Sequence, residues 1–532
     1  MRNLIPTPTR ALLLASIIAL ISLALSACPS SSSPTSIPKE QPELEQPLPA
    51  GSEAEHPLKQ HLSSSAQLIL PSDPSYPLLA HRWSSNPLHA PHPPSLIVLP
   101  TTPSDISHTI RYANAHNLPF LATTGTHGTT RWLSTLRTGG VLIHMRNMTR
   151  FDLSEDGKTA VLGGGLLSGE VVSRLWERGK QTTTGVCQCV SFSGPALGGG
   201  HGWLQGRYGL VADQVVSATV VLGSGEVVHV SDSDRGDLFW GVRGAGHNLG
   251  VVAEWRVRVH DVEEGRGGSW AYEMFKFEGG RLEEVYELAN GMLETQPEYA
   301  VHWSAWGLDD EVDPDEPVIS VSVFYNGPME ECHEYTRPIR DLGPVAYSSG
   351  VTDYPGLSAA LGVDFAGVYC QDQRTAYIRA IDVDRYDIAA LRNWFDVYSE
   401  MLAAEPALAK SVCMLEGYSV QAVQAVPADS TAFPHRHQRL MLSPFTFYDE
   451  IGNRTLDDEA ARWSKAMGIA AFGTAQRRSY VNYGYGDETL QALYGYEPWR
   501  LEKLRGLKRK YDPDNRFRFF APLEQDGDGG VV

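Results

Sequence analysis

Ala122-Thr-Thr-Gly-Thr-His-Gly-Thr-Thr130 and Thr184-Gly-Val-Cys-Gln-Cys-Val-Ser-Phe-Ser-Gly-Pro-Ala-Leu-Gly-Gly-Gly-His-Gly202 are two stretches in which glycines bracket reactive side chains. Glycine at this density lets a backbone approach a ligand closely and leaves N–H groups to face phosphate oxygens. His127 lies inside the first stretch and Cys187 just ahead of the second glycine run. Both become nucleophiles once deprotonated. The run Gly198-Gly-Gly200 lacks the Lys-Ser/Thr ending of a nucleoside-triphosphate loop, which sets that reading aside.

Outward from the first stretch, Ser95-Leu-Ile-Val-Leu99 reads as a buried strand. A helix capped by Ser104 follows, with Ile106, Ile110 and Ala113 at helical spacing, and then a strand over Leu118–Ala122. Strand, helix, strand and glycine loop make an α/β opening. Further strands are expected at 140–144 and 159–162, and a helix over 169–178 stopped by Gly179. Strands at 218–222 and 226–230 flank Gly223-Ser-Gly225, a hairpin signal. From about Gly265 the composition turns more acidic, with helices expected at 281–289 and 388–404 and a strand at 318–324. A helix over 497–510 closes the chain.

The two glycine-bracketed stretches resemble those of the FAD-linked oxidases of the berberine-bridge-enzyme type, within the vanillyl-alcohol-oxidase superfamily. Gly125-Thr-His127 falls on the family's Gly-x-His loop, and Cys187-Gln-Cys-Val190 on its Cys-Pro-Thr-Val segment. Ser479-Tyr-Val-Asn-Tyr483 carries its Tyr-x-Asn-Tyr signature, so the likeness runs from about Ser95 to Pro522. The resemblance implies an α+β fold: a two-part PCMH-type FAD-binding domain, and a central substrate domain whose mixed or antiparallel sheet is covered by helices. The implied division is a signal peptide over 1–27, a flexible leader over 28–60, an FAD domain over 90–262, a substrate domain over 263–475, and a C-terminal segment over 476–525 that returns to the FAD domain.

For the site, the resemblance implies FAD bonded through its 8α carbon to His127. It further implies cofactor contacts from Thr124, Gly125, Thr126, Gly128, Gly194, Gly198, Gly199 and Gly200. A second bond from flavin C6 to Cys187 is implied by the register; Cys187 and Cys189 are two apart and share a face of an extended chain, so periodicity alone leaves both open. Val190 falls at the position that governs oxygen access, and Asn482 on a flavin or ribityl partner. Tyr483 is implied as catalytic base; a phenol with its ordinary value near ~10 needs a nearby cation or hydrogen-bond donor to serve. The family's arginine four positions before the histidine is absent, Thr123 standing there.

The chain of 532 residues has room for two or more domains, and its net charge of −19 with no basic run argues against nucleic acid and anionic membranes. Arg2 and Arg10 precede an apolar run from Ala11 to Ala27, the pattern of a secretory signal. A signal anchor and a lipoprotein box at Leu25-Ser-Ala-Cys28 are the rival readings. The stretch from Cys28 to about Pro57 is Ser-, Pro- and Glu-rich and reads as leader. Sequons at Asn147 and Asn453 fit the secretory route. The six cysteines have no zinc spacing; one disulfide among Cys332, Cys370 and Cys413 stays open. Gly244-x-Gly246 lacks the context of a dinucleotide fingerprint. His435 and His437 lack a third ligand at metal spacing, so no metal is expected.

Together these readings predict a secreted flavoprotein oxidase that removes two electrons from a small organic substrate, with hydride passing to flavin N5 and O2 as acceptor giving H2O2. A secondary metabolite is the expected substrate; an oligosaccharide is the alternative, and a catalytically silent binding protein on the same fold is the alternative of another class. No stable membrane span is expected after signal cleavage.

Overall fold

Leu96–Leu99 is buried along its whole length, and this strand begins the part of the fold that carries the first glycine loop. The computed structural model describes residues 56–84, 92–263, 266, 268–371, 375–450, 452–473 and 475–524. The signal reading over 1–27 and the leader up to residue 55 lie outside the described residues. Residues 57–60, expected in the leader, instead belong to a 3-10 turn, Pro57–His61, whose Leu58 is buried in the core of the first sheet.

That sheet places Leu96–Leu99 and Phe120–Thr123 on either side of Val141–His144, both parallel to it. The helix Pro103–Ala115 supplies the crossover that parallel strands need. Its cap is Thr102 rather than Ser104: Asp105 N–H donates to Thr102 Oγ1 at 3.2 Å and Thr102 N–H donates back to Asp105 at 2.9 Å. Pro103 fits the first helical position, so the helix starts two residues earlier than a Ser104 cap would place it. Gln67–Ile69 adds an antiparallel edge strand.

A second, antiparallel sheet orders Phe151–Leu153, Thr159–Gly163, Val251–Arg258, Val215–Val221 and Val227–Ser231. The last two form the hairpin read from Gly223-Ser-Gly225. The C-terminal segment lies against this sheet's core: Val481, Leu493, Tyr494, Leu504, Leu507 and Ala521 share a cluster with Trp255 and Val220. Lys508 is buried with Asp512 at 2.6 Å and donates to the Asn248 and Phe517 carbonyls, fastening the last helix, Pro498–Tyr511.

A third sheet of eight antiparallel strands follows, with Trp270–Phe277, Ala300–Asp309, Asp313–Asn326, Val412–Gly417 and Leu440–Tyr448 among its members. Side chains alternate between its faces. Cys413 and Leu415 go into the core formed with helices Ile388–Ala404 and Arg454–Phe472, while Met414 and Glu416 face the opposite way, into a cavity. This is the α+β architecture expected, with helices on one face of the large sheet and the glycine loops on the other.

One buried ion pair ties the layers. Arg436, between the two histidines that the sequence draws attention to, donates to both oxygens of Asp213 at 3.0 and 2.8 Å and to Thr431 at 2.7 Å. Gly244 breaks the helix Gly236–Ala245 at φ +137°, its Cα facing the Phe433 backbone.

Candidate active site

The two glycine stretches meet backbone to backbone. A Cβ placed on Gly125 would lie 2.9 Å from both the Cys189 carbonyl oxygen and the Ser191 nitrogen. Only glycine permits that approach. Thr126 adopts a left-handed φ of +56°, turning the loop so that His127 packs over Trp83, ring centres 5.1 Å apart. Among the described residues, the N–H groups of Gly125, Thr126, His127 and Gly128 donate to no backbone carbonyl. They remain available to an anionic or carbonyl-bearing ligand.

Burial and the neighbouring Arg82 guanidinium hold His127 down at about 4, so its imidazole is neutral at physiological pH. Arg82 also donates to the Gly128 carbonyl at 2.6 Å. A cation therefore stands beside His127 even though Thr123 occupies the position four residues ahead. It comes from a part of the chain in which the sequence carries no motif. Thr124 donates to the Gly164 carbonyl at 3.3 Å, as does Ser193 at 2.8 Å, and Trp255 holds the Ser193 hydroxyl at 2.9 Å.

Both loops open on a cavity of about 1630 Å³. That exceeds the ~300–1,000 Å³ of a single small-ligand site and leaves room for a dinucleotide-sized cofactor and a substrate together. Thr124, Gly125, Thr126, His127, Gly128, Cys187, Val190, Gly194, Asn482 and Tyr483 all line it. Gly198, Gly199 and Gly200 do not. Their Cα atoms instead face Asn482, Phe433 and Val211, within 2.4 to 2.6 Å of where a Cβ would sit. They let side chains of other segments close over the short helix Ser193–Gly198.

Asn482 is already engaged within the protein. Its Oδ1 accepts from His247 at 2.8 Å and its Nδ2 donates to Tyr480 at 2.7 Å. Among the described residues, none gives Tyr483 the cation or donor that a phenolate base requires. It pairs with the buried Glu416 carboxyl, and burial first, then Glu416, push its phenol up, away from a base. The expected direction of the Tyr483 shift is thus reversed. Glu416 is the group that the sequence reading missed. Burial raises it to about 7, although Tyr418 donates to it at 2.7 Å and Tyr483 also bonds it. Its one sequence signal is a lone acid in the otherwise uncharged strand Val412–Gly417.

The cysteines differ from expectation as well. Cys189 is disulfide-bonded to Cys370, with Cα atoms 5.7 Å apart, while Cys332 and Cys413 are buried free thiols. Cys187 is also free, and burial pushes its thiol up to about 11, so it is protonated at neutral pH. His435 is buried, held at about 3, and forms no metal-type cluster among the described residues.

Known proteins match this architecture. Residues 94–231 fit the family model of the FAD binding domain, and residues 479–523 that of berberine and berberine-like proteins. The FAD-linked oxidoreductase chyH of Penicillium rubens is 35% identical over 81% of this chain and 86% of its own. Among solved structures, chitooligosaccharide oxidase superposes with a TM-score of 0.76 at 21% identity, over 88% of this chain and 99% of that one. The berberine bridge enzyme from Eschscholzia californica does so with a TM-score of 0.73 at 20% identity, over 88% and 99%. The chain belongs to the berberine-bridge-enzyme-like FAD-linked oxidoreductases. It is an oxidoreductase that uses FAD, and the free N–H groups of the first loop, the neutral His127 and the size of the cavity fit that cofactor.

Proposed function

We propose that the protein is an oxidase of a small, largely apolar hydroxylated metabolite, with O2 taking the electrons as H2O2 and with FAD held covalently by His127. The observation that carries this reading is the Glu416–Tyr483 pair, which lines the same cavity as His127. FAD, when bound, supplies the two-electron acceptor. The chain supplies the rest. A neutral His127 nitrogen has the free electron pair that bonding to carbon requires, and burial, reinforced by Arg82, keeps it unprotonated. Cys187, protonated at neutral pH, is the weaker candidate for a second bond.

Glu416 is poised near neutrality, where a general base works best. Tyr483 bridges it to the substrate side: as the substrate O–H gives its proton to the Tyr483 oxygen, the phenol proton passes to the Glu416 carboxylate. Tyr418 holds the carboxylate in place. Around them, Trp303, Tyr272, Met274, Met414 and Phe445 make the wall aromatic and apolar, which favours a flat metabolite. Val190, small and on the cavity wall, leaves space for O2 to approach. Consistent with the two family matches, we place the cofactor part over 90–262 with 476–525 and the substrate part over 263–475. The apolar run at 11–27 and the sequons, Asn453 being exposed, support export as a secreted glycoprotein.

A second reading, oxidation of oligosaccharides, draws on Ser320, Ser322, Ser348 and Ser349 along the outer wall. Peroxide release decides between them. Aromatic and allylic alcohols are expected to give turnover and oligosaccharides none; turnover on oligosaccharides alone would reverse the assignment. Recovery of the protein from culture medium, with an N-terminus beyond Ala24, checks export.

A further inference from the structure

We propose that Cys187, Cys189 and Cys370 form a single thiol–disulfide exchange site, in which Cys187 and Cys189 are interchangeable anchors for Cys370 and the staple closes one wall of the cavity. The staple joins positions 181 apart in sequence. The free Cys187 sulfur lies 3.4 Å from Cys189 Sγ and 3.7 Å from Cys370 Sγ. All three sulfurs fall within 4.8 Å of one another.

The staple holds residues 359–369, of which Leu361, Asp364, Val368 and Tyr369 line the cavity. Other bonds dock the same segment onto the cysteine loop. Gln188 N–H donates to the Val363 carbonyl at 3.0 Å, Phe365 N–H to Gln188 Oε1 at 3.1 Å, and Ser358 Oγ to the Val186 carbonyl at 2.9 Å. These contacts keep Cys370 facing the loop whichever cysteine it is bonded to.

Exchange is redox-neutral. Cys187 Sγ lies side-on to the disulfide, nearly equidistant from both of its sulfurs, so its side chain must first rotate into line behind Cys370 Sγ. The thiolate then attacks Cys370 Sγ, the Cys187–Cys370 bond forms as Cys189–Cys370 breaks, and Cys189 leaves as thiolate and takes up the proton that Cys187 lost. Burial of Cys187 makes the thiolate scarce at neutral pH, so exchange is slow there and speeds up in alkali. Cys187, the sulfur that Cys370 leaves free, is the one that lines the cavity, and so the one open to a cofactor bond. That consequence rests on the FAD reading; the exchange itself does not.

The test is a non-reducing peptide map of the full-length purified protein, acid-quenched and alkylated with iodoacetamide. Cys189→Ser is expected to contain a Cys187–Cys370 cross-link with neither cysteine alkylated. Cys187→Ser, as the folding control, is expected to keep Cys189–Cys370. The proposal is overturned if Cys189→Ser leaves Cys370 alkylated, whether Cys187 is alkylated or carries cofactor. Wild-type protein reduced and reoxidised with oxidised glutathione gives an independent check. Both pairings are expected, and Cys189–Cys370 alone would overturn the idea. A colourless protein with the Cys187–Cys370 cross-link would refute the FAD reading while sustaining this one.

Discussion

Replacing Glu416 by glutamine removes the proposed proton acceptor while keeping the shape of the group. An amide oxygen still accepts from one phenol, and the amide N–H2 donates to the other, so Tyr418 and Tyr483 both retain a partner. A positioned general base is worth roughly 10²–10⁴ in rate, and kcat/KM is expected to fall by about that factor. The pH profile sharpens the test. Glu416 must be ionised to act, and burial puts its midpoint at about 7. Wild-type kcat/KM should therefore drop about tenfold per pH unit below that midpoint and level off above it, whereas Glu416→Gln should show no such limb.

Stability gives an opposite and independent sign. The folded carboxyl binds its proton more tightly than the unfolded one, about 7 against 4.5, so folding stability declines as pH rises through that window. The difference amounts to ~3 kcal/mol above pH 7. Glu416→Gln should accordingly melt higher than wild type at pH 8 and show little gain at pH 4. Initial rates of peroxide release across pH 5–9, with thermal melts at the two ends, check both. A variant with wild-type kcat/KM and an unchanged acid limb would show that the base lies elsewhere.

Tyr483→Phe should lower kcat while keeping an acid limb, its midpoint moved up because the Tyr483 hydrogen bond that lowers Glu416 is lost and the carboxylate stays; steady-state rates against pH read this, and a vanished limb would argue that the two act otherwise. Arg436→Met leaves the buried Asp213 unpaired and should cost ~3–5 kcal/mol by denaturant unfolding. Gly125→Ala forces a Cβ to 2.9 Å from the Cys189 and Ser191 backbone, so cofactor content should fall with a lower melting temperature. Asp382 is buried with neither carboxylate oxygen hydrogen-bonded among the described residues, and burial pushes it up to about 8; since the folded state then holds the proton more tightly, Asp382→Asn should stabilise the protein above pH 8 and have little effect at pH 4.

Much of the scaffold was legible because its signals are local. The helix Ile388–Ala404 matches its expected bounds, and the hairpin around Gly223-Ser-Gly225 forms where the turn residues place it. The strand expected at 318–324 runs longer, Asp313–Asn326, since its first residues pair only through the neighbouring strand. The loop that carries His127 was readable from glycine spacing. What stayed hidden depends on contacts between distant parts of the chain. Arg82 gains meaning only where it meets His127, and Glu416 only where Tyr483 folds back onto it. The pairing of Cys189 with Cys370 has no local signature at all. Gly198-Gly-Gly200 shows how little a glycine run says alone: glycines that admit Asn482 and Phe433 look in sequence like glycines that admit a phosphate.

The attachment of FAD at His127 is tested most directly by the absorbance spectrum of the purified protein before and after acid precipitation, beside that of His127→Ala. The account predicts a yellow protein whose colour stays in the wild-type pellet and washes out of the variant. Colour that washes out of both would mean that His127 is no linkage, and colour held equally in both would move the bond to another residue.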